Sequence, residues 1–410
     1  MTVDDPAGRT ERSAATTATA EKLRVGVGYS DAADAVEAGR AASADALAGL
    51  HGATPALIVM YASVSYDLIA LLHAVRRATG KAPLVGATTS GQFHDGRLIN
   101  PGLGVSVLAL SAGPYRFGVA SVTGVTEDGD AAGQRLARAA RAAAGPEPAA
   151  HAALLLLTTG LAGHQQELLN GVHKVLGAPV PVVGGSAGDD RLLIRTCVFE
   201  NDNVLTDGGA TGVWIAAPTP LSVVAEHGWH DVGLPLLVTK SDGLEIQEIA
   251  GRPAVEVFQE HFHDDVNFER PGLVKPAPGY LSAYAFGLIQ PDGSKLIRGA
   301  YIDDEGLLKT FSPLPLYAPV QIVSCRAEDL LRVTGDVVRR SLAGRDAAVL
   351  LAFSCVARLD VLAEQGAEEA ALIQDAAGDV ATFGFYTYGE FARTTRVAGY
   401  HNATLTAIAL

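Results

Sequence analysis

The chain has 410 residues, of which 48% are hydrophobic and 19% are charged. This length is too great for one ordinary core, so we expect two to three domains, and the composition is that of a globular protein. The formal net charge is −14, and no run of Lys or Arg occurs. The charge argues against a nucleic acid partner, because neutralising phosphates requires a basic surface.

Cysteine usage and apolar run length bear on the compartment. The three cysteines, Cys197, Cys325 and Cys355, form no C-x-x-C pair. This spacing excludes a zinc ribbon and argues against a disulfide framework, as suits a reducing cytoplasm. The longest apolar runs are strand-sized, so no membrane partner is expected. Residues 1–21 lack the apolar core of a signal peptide and predict a disordered tail, so we expect a cytoplasmic protein.

Strands and helices alternate from residue 22 to about residue 240. Apolar runs predict strands at 23–28, 56–61, 83–87, 105–110, 115–122, 152–158 and 180–183, and others through 198, 213 and 223. Helical spacing of apolar residues predicts helices at 34–50, 66–79, 124–144 and 164–176. The strands at 105–110 and 115–122 are predicted to form an antiparallel hairpin around the turn at 111–114.

The alternating pattern of strands and helices changes near residue 240, where we place a domain boundary. Beyond it we predict a short helix at 253–261 and then a Pro-rich irregular stretch to residue 278. Strands follow at 280–289, 295–301, 318–324, 347–353 and 380–386 and at the C-terminus, with helices at 327–343 and 357–376. These elements predict an α/β fold with mixed sheets, in two parts: 22–240, with an internal duplication, and 241–410.

Three stretches of the chain echo one another. Each is a short apolar run that breaks into a glycine-bearing polar loop, at 83–91, 179–189 and 381–390. An apolar strand precedes each one, and another follows. A repeated unit of strands and helices places these loops at equivalent strand ends, where pockets form. The first two loops are small and neutral, so the third is the one that we expect to bind a ligand.

The densest group of polar residues lies in the last 60 residues. The candidate ligand-binding residues are Cys355, Arg358, Tyr386, Tyr388, Glu390, His401 and Asn402. Arg358 offers a planar cation suited to a carboxylate, and Glu390 offers an acceptor for an ammonium. Together they form a minimal recognition set for an amino acid. The structural alternative is that Arg358 and Glu390 pair with each other.

Other candidate sites carry weaker signals. Cys355 with His401 and Glu390 could form a nucleophilic triad, but a Cys at a strand end is usually a small buried apolar residue. The loop Gly184–Asp190 could present N–H groups to an anion, although two adjacent carboxylates favour a plain turn. His227 with His230, and His261 with His263, could bind a metal or haem, but solvated surface histidines are the more common case. No catalytic residue is assigned.

Several segments resemble the FIST sensory family. FSCVAR, GFYTYGE and YHNATLTAIAL are similar to its C-terminal half, and VVGGSAGDD with FENDNVLTDGGATGVWI to its N-terminal half. The resemblance covers about residues 24–410 and implies a FIST N-terminal-like part followed by a FIST C-terminal-like part. It marks Cys355, Arg358, Gly389, Glu390, His401, Asn402 and Thr404. The sequence departs from the family pattern at 391–396, which is more basic than usual.

The resemblance implies a bacterial small-ligand sensor in signal transduction, with amino acids as the proposed ligands. Since no output domain is recognised in the sequence, we expect a separate signalling partner such as a kinase or a cyclase. Some family members bind haem in nitric-oxide signalling, so a haem-dependent sensor is an alternative, although no cofactor is assigned. A Cys-dependent hydrolase or transferase, or an adaptor without a ligand, are further alternatives.

Overall fold

The computed structural model describes residues 22–261, 280–393 and 398–410. The tail predicted for residues 1–21 lies outside these ranges. The irregular stretch predicted between the helix at 253–261 and residue 278 lies outside them as well. Within the described part, no helix is long and apolar enough to span a membrane.

The body of the protein consists of three copies of one unit. Copy 1 comprises β1 (Val25–Ser30), α1 (Ala35–Gly49), β2 (Pro55–Ala62), α2 (Leu68–Thr79), β3 (Leu84–Thr88), β4 (Gln92–His94), β5 (Arg97–Ile99) and β6 (Val105–Ser111). Copy 2 comprises β7 (Arg116–Val122), α3 (Gly129–Ala143), β8 (His151–Thr158), α4 (Gln165–Leu176), β9 (Val182–Ser186), β10 (Val198–Glu200), β11 (Asn203–Leu205) and β12 (Ala210–Ala217).

Copy 3 is interrupted after its first strand, β13 (Val223–Glu226). It resumes with α6 (Ala327–Leu342), β21 (Val349–Cys355), α7 (Val356–Leu362), a 3-10 turn (Ala363–Gln365), α8 (Gly366–Ala377), β22 (Ala381–Thr387), β23 (Glu390–Arg393), β24 (Ala398–His401) and β25 (Leu405–Ala409). The insertion contains β14 (His230–Asp242), β15 (Glu245–Ile249), β16 (Arg252–Pro253), α5 (Ala254–Gln259), β17 (Tyr280–Ile289), β18 (Lys295–Ile302), β19 (Leu308–Thr310) and β20 (Pro319–Ser324).

Aspartates fix the starts of three of the outer helices. The carboxylates of Asp34, Asp67 and Asp128 accept hydrogen bonds from backbone N–H groups in the first turns of α1, α2 and α3. Such caps satisfy donors that a helix start otherwise leaves unpaired. The polar residue before each apolar periodic run therefore sets where the helix begins.

The three copies build three sheets with the same strand order. The four strands of each copy are arranged as β1-β6-β2-β3, β7-β12-β8-β9 and β13-β25-β21-β22. In each sheet the last two strands, which are joined through α2, α4 or α7 and α8, run parallel, and the other neighbours run antiparallel. Parallel neighbours need such a crossover connection. The predicted α/β class with mixed sheets and repeated units is confirmed.

Each copy donates its hairpin to the sheet of another copy. The hairpin β4–β5 of copy 1 extends the sheet of copy 3 at β22, β10–β11 of copy 2 extends copy 1 at β3, and β23–β24 of copy 3 extends copy 2 at β9. The exchange is cyclic, so each sheet has six strands and each copy is hydrogen-bonded to both others. The three copies therefore form one interlocked body.

A phenylalanine of each exchanged hairpin lies opposite a glycine of the sheet that receives it. The pairs are Phe93 with Gly384, Phe199 with Gly86, and Phe391 with Gly184. All three phenylalanine side chains are buried. A Cβ atom on any of the three glycines would overlap a backbone carbonyl oxygen of the neighbouring parallel strand. The glycines of the sequence repeat are thus required by close packing where the copies join.

The central strands are buried on both faces. Alternate residues of β2, β8 and β21 point to one shared core, which includes Tyr61, Leu155 and Phe353. The residues between them, such as Met60 and Leu156, pack under the outer helices. Burial on both faces explains why these strands read as continuous apolar runs.

The insertion forms a closed barrel. Its strands are hydrogen-bonded in the order β14-β20-β17-β18-β19-β15, and β15 pairs back to β14. α5 packs Val257 and Phe258 into the same core as the barrel strands. The boundary predicted near residue 240 falls inside β14, and the division into two domains stays a prediction.

Two predicted details are wrong. β6 and β7 do not form a hairpin, because β6 pairs with β1 and β2 whereas β7 pairs with β12 in the next sheet. The short turn between them joins two copies. The helix predicted at 357–376 is broken into α7 and α8 by the 3-10 turn.

We predict that Gly384→Ala lowers the free energy of unfolding by about 2 kcal/mol or more, because the methyl group must displace Phe93 or the Ala352 carbonyl. Gly212→Ala, in the buried strand β12, is the matched control, since its Cβ meets nothing closer than 3.4 Å. Urea denaturation followed by circular dichroism measures both. Equal stabilities for the two variants would contradict the packing role of the repeated glycine.

Candidate functional site

The three repeated loops meet where the parallel strands end. Backbone N–H groups connect them in a cycle: Gly188 donates to Thr88, Ser90 to Tyr386, and Tyr388 to Ser186. The distances are 2.9–3.0 Å. The repeat therefore brings its polar loops together, as the sequence predicts for equivalent strand ends.

A pocket of about 110 Å³ opens beside this junction, between copy 2, copy 3 and the barrel. Copy 2 contributes Gly160, Leu161, Arg191 and Leu193, copy 3 contributes Cys355, Val356, Ala357, Asp360, Tyr388, Tyr400 and Asn402, and the barrel insertion contributes Gly299 and Phe311. The lining is mostly apolar and aromatic, with a few polar groups. This composition is typical of small-molecule sites.

The loop after β9 is shaped by two carboxylates and presents Arg191 to the pocket. Asp189 accepts the backbone N–H groups of residues 193–195 at 2.6–2.9 Å. Asp190 accepts from Ser63 Oγ at 2.6 Å and from the N–H groups of residues 64 and 102. These bonds hold residues 190, 191 and 193 at positive φ, which is uncommon without glycine. Such strain clusters at functional sites.

Arg191 and Asp360 form an ion pair on the pocket wall. Their side chains are only 8% and 9% exposed, so both charges are largely removed from water. Both the cation and the anion of this pair line the pocket. Tyr388 adds a hydroxyl, which donates to Asp189, and Asn402 accepts from Ser312 Oγ at 3.1 Å.

The structure divides the predicted site residues into two groups. Cys355, Tyr388 and Asn402 line the pocket. Arg358, Tyr386, Glu390 and His401 lie behind it and are buried. The involvement of both groups in ligand binding stays a prediction.

Arg358 is bound to Glu369 of α8. Its Nε donates to Glu369 at 3.0 Å, and its Nη2 also donates to Thr334 Oγ1 at 2.9 Å. The second oxygen of Glu369 accepts from Ser354 at 3.0 Å and from Tyr386 at 2.8 Å. The alternative of an Arg358–Glu390 pair is thus corrected, because the carboxylate that Arg358 contacts belongs to Glu369. This network fixes β21, α6, α8 and β22 against one another.

Glu390 is enclosed between β23 and the end of β21. It accepts hydrogen bonds from Thr387 Oγ1 and, at 3.2 Å, from the Thr404 N–H, and the Cys355 thiol also donates to it. Burial raises its pKa to about 8, so the carboxyl is mostly protonated at neutral pH. Burial likewise raises the pKa of Cys355 well above its ordinary value. An activated thiolate, which a Cys-dependent enzyme needs, is therefore disfavoured.

His401 is a buried neutral imidazole. Desolvation lowers its pKa to about 3, with Arg298 adding to the effect. Arg298 is itself buried, and its Nη1 donates to the Tyr400 carbonyl at 2.9 Å. This bond ties the barrel strand β18 to β24, the strand that carries Tyr400 to the pocket.

Haem does not fit this pocket. The volume of about 110 Å³ is below the several hundred Å³ usual for sites of drug-sized ligands, and haem is at least as large as such ligands. Among the described residues, no group of three or more His, Cys, Asp and Glu is arranged to hold a metal ion. A ring nitrogen of His261 forms a hydrogen bond with the Val257 carbonyl. His263 lies outside the described residues.

The sequence-based prediction missed Arg191, Asp360 and Glu369. Arg191 directly follows the Asp189–Asp190 pair, for which the sequence favours a plain turn, and Asp360 lies two residues after Arg358. An Arg directly after two adjacent carboxylates is a usable sequence signal for such a loop, because both carboxylates accept hydrogen bonds that shape it. Glu369 sits in a helix beside Glu368 and has no distinguishing pattern.

The FIST N domain model matches residues 56–252, and the FIST C domain model matches residues 254–393. The chain belongs to the FIST family. FIST domains are small-ligand-sensing domains of signal transduction, and the predicted family is confirmed.

Similar proteins cover different shares of the chain. An uncharacterised protein of Mycobacterium tuberculosis is 28% identical over 388 residues, covering 93% of this chain and 97% of its own. An uncharacterised protein of Methanocaldococcus jannaschii is 25% identical over 138 residues, covering 34% of this chain and 26% of its own. A crystal structure of chorismatase aligns over 95% of this chain and 98% of its own with 12% identity and a TM-score of 0.34.

We predict that the contribution of Glu390 to stability falls as pH rises from about 4.5 to about 8. Over this interval Glu390 loses its proton in the unfolded chain, where its pKa is near 4.5, but keeps it in the folded protein, where its pKa is about 8. The stabilisation is complete below the lower value and is lost at the upper one, with a slope of up to about 1.4 kcal/mol per pH unit.

Glu390→Gln is the control, because the amide stays neutral. From pH 5 to pH 8, the urea midpoint of the wild type should fall relative to that of this variant. A difference that does not change with pH would contradict the buried, protonated Glu390.

Proposed function

We propose that this protein is a cytoplasmic sensor that binds an amino acid or a similar small carboxylate in the pocket. The observation that carries the proposal is the Arg191–Asp360 pair on the pocket wall. Arg191 would take the ligand carboxylate through its guanidinium fork, and Asp360 would accept from the ammonium. These are the two roles that the sequence suggested for Arg358 and Glu390.

The predicted site residues keep complementary roles in this proposal. Tyr388, Asn402 and the Cys355 thiol would contact the ligand, since each lines the pocket. Arg358, Tyr386, Glu390 and His401 would hold the wall from behind. The fully hydrogen-bonded Arg358–Glu369 network supports this assignment, because its donors are already engaged. Preorganisation of this kind reduces the ordering cost of binding.

The ligand would contact three parts of the molecule at once. Gly299 and Phe311 come from the barrel, Arg191 from copy 2, and Asp360 from copy 3. A ligand with higher affinity for one position of the barrel relative to the body would shift the population towards that position. A separate partner protein, such as a kinase or a cyclase, would read the position of the barrel.

We predict that a matching amino acid raises the melting temperature by several degrees, since a ligand at about a hundredfold above its Kd stabilises by about 2.7 kcal/mol. Arg191→Ala should abolish the shift. Arg195→Ala, which removes an exposed arginine of the same loop, should retain it. A thermal-shift screen of the twenty amino acids and matched carboxylic acids measures this. A shift of equal size in the Arg191→Ala protein would exclude Arg191 as the carboxylate site.

We also predict that the bound amino acid slows hydrogen exchange of backbone amides in β18, because the ligand joins the barrel to the body. Exchange in α1, which lies far from the pocket in copy 1, serves as the internal control. Binding without any change in β18 would contradict the proposed bridging of the barrel.

A further inference from the structure

We propose that the pocket selects amino acids with large apolar side chains, and that Leu161, Leu193 and Phe311 set this preference. The inference rests on the proposed function, because it names the class of amino acid that the same pocket takes.

The first observation is the small size of the pocket interior. A volume of about 110 Å³ is below the several hundred Å³ usual for sites of drug-sized ligands, so the interior suits a small head group. With this head group at Arg191 and Asp360, whose side chains are over nine-tenths buried, the ligand side chain has to extend towards the mouth.

The second observation is the apolar surface at the mouth. Leu161, Leu193 and Phe311 line the pocket and are nevertheless 44%, 43% and 39% exposed. Leu192 and Ile194, on either side of Leu193, are exposed as well. Exposed apolar side chains gathered around an opening indicate a surface that a ligand or partner covers. They come from three separate segments, at the exit of β8, after β9 and after β19, which converge on one opening.

The third observation concerns charge. Among the described lining residues, only Arg191 and Asp360 carry a charge, and both point into the interior ion pair. An acidic or basic ligand side chain at the mouth would therefore lose water without gaining a partner. An apolar side chain would gain burial against the two leucines and the phenylalanine, which favours it by up to about fourfold in affinity per buried methylene.

The test is isothermal titration of the full chain with alanine, 2-aminobutyrate, norvaline and norleucine, a series in which each member adds one methylene. We expect affinity to rise by about two- to fourfold at each step, so that norleucine binds at least tenfold more tightly than alanine. Aspartate and lysine should bind no more tightly than alanine.

Variants of the mouth separate this preference from head-group binding. Leu193→Ser and Phe311→Ser should flatten the series, so that norleucine loses more affinity than alanine does. Leu237→Ser removes a leucine of similar exposure (42%) outside the pocket and should leave the slope unchanged.

Equal affinities across the series in the wild-type protein would overturn this inference and leave the proposed function standing. Binding of no amino acid at all would overturn both. A slope that persists in both mouth variants would show that the preference has another origin, and would overturn the assignment of Leu193 and Phe311.

Discussion

The architecture depends on the cyclic exchange of hairpins among the three copies. Each exchanged hairpin seats a phenylalanine over a glycine of the next sheet, as Phe93 does over Gly384. No copy completes its own six-stranded sheet, so each relies on a neighbour to cover its parallel edge. An exposed edge of this kind is a liability in any sheet protein. The exchange removes it and locks the copies together at the same time.

The pocket lies at one of the junctions that this exchange creates. At the junction of copies 2 and 3, the hairpin β23–β24 brings Tyr400 and Asn402 to the pocket, and the barrel inserted into copy 3 closes one side. Behind this wall, Arg358 and Glu369 form a buried network whose polar atoms serve one another. In the proposed function this network holds the wall from behind, and the Arg191–Asp360 pair contacts the ligand.

Much of the fold could be predicted from the sequence. Strands buried on both faces appear as continuous apolar runs, and helices show the helical spacing of their apolar residues. The sheet that each hairpin joins could not be predicted, because periodicity shows which face of a strand is buried but not which copy covers it. β6 and β7 illustrate this, being adjacent in sequence yet in different sheets. The predicted chemistry, a cation with a carboxylate, does occur in the pocket. The residues of this pair, Arg191 and Asp360, were not predicted. Arg191 lies in a left-handed loop conformation, and no glycine at that position indicates it in the sequence.

The central claim is that an amino acid binds between Arg191 and Asp360. It is tested most directly by a crystal structure of the full chain grown with norleucine. The account predicts density for one molecule whose carboxylate contacts the Arg191 guanidinium, whose ammonium contacts Asp360, and whose side chain lies against Phe311. A ligand bound elsewhere in the molecule, or one in this pocket that leaves both charged groups untouched, would contradict it.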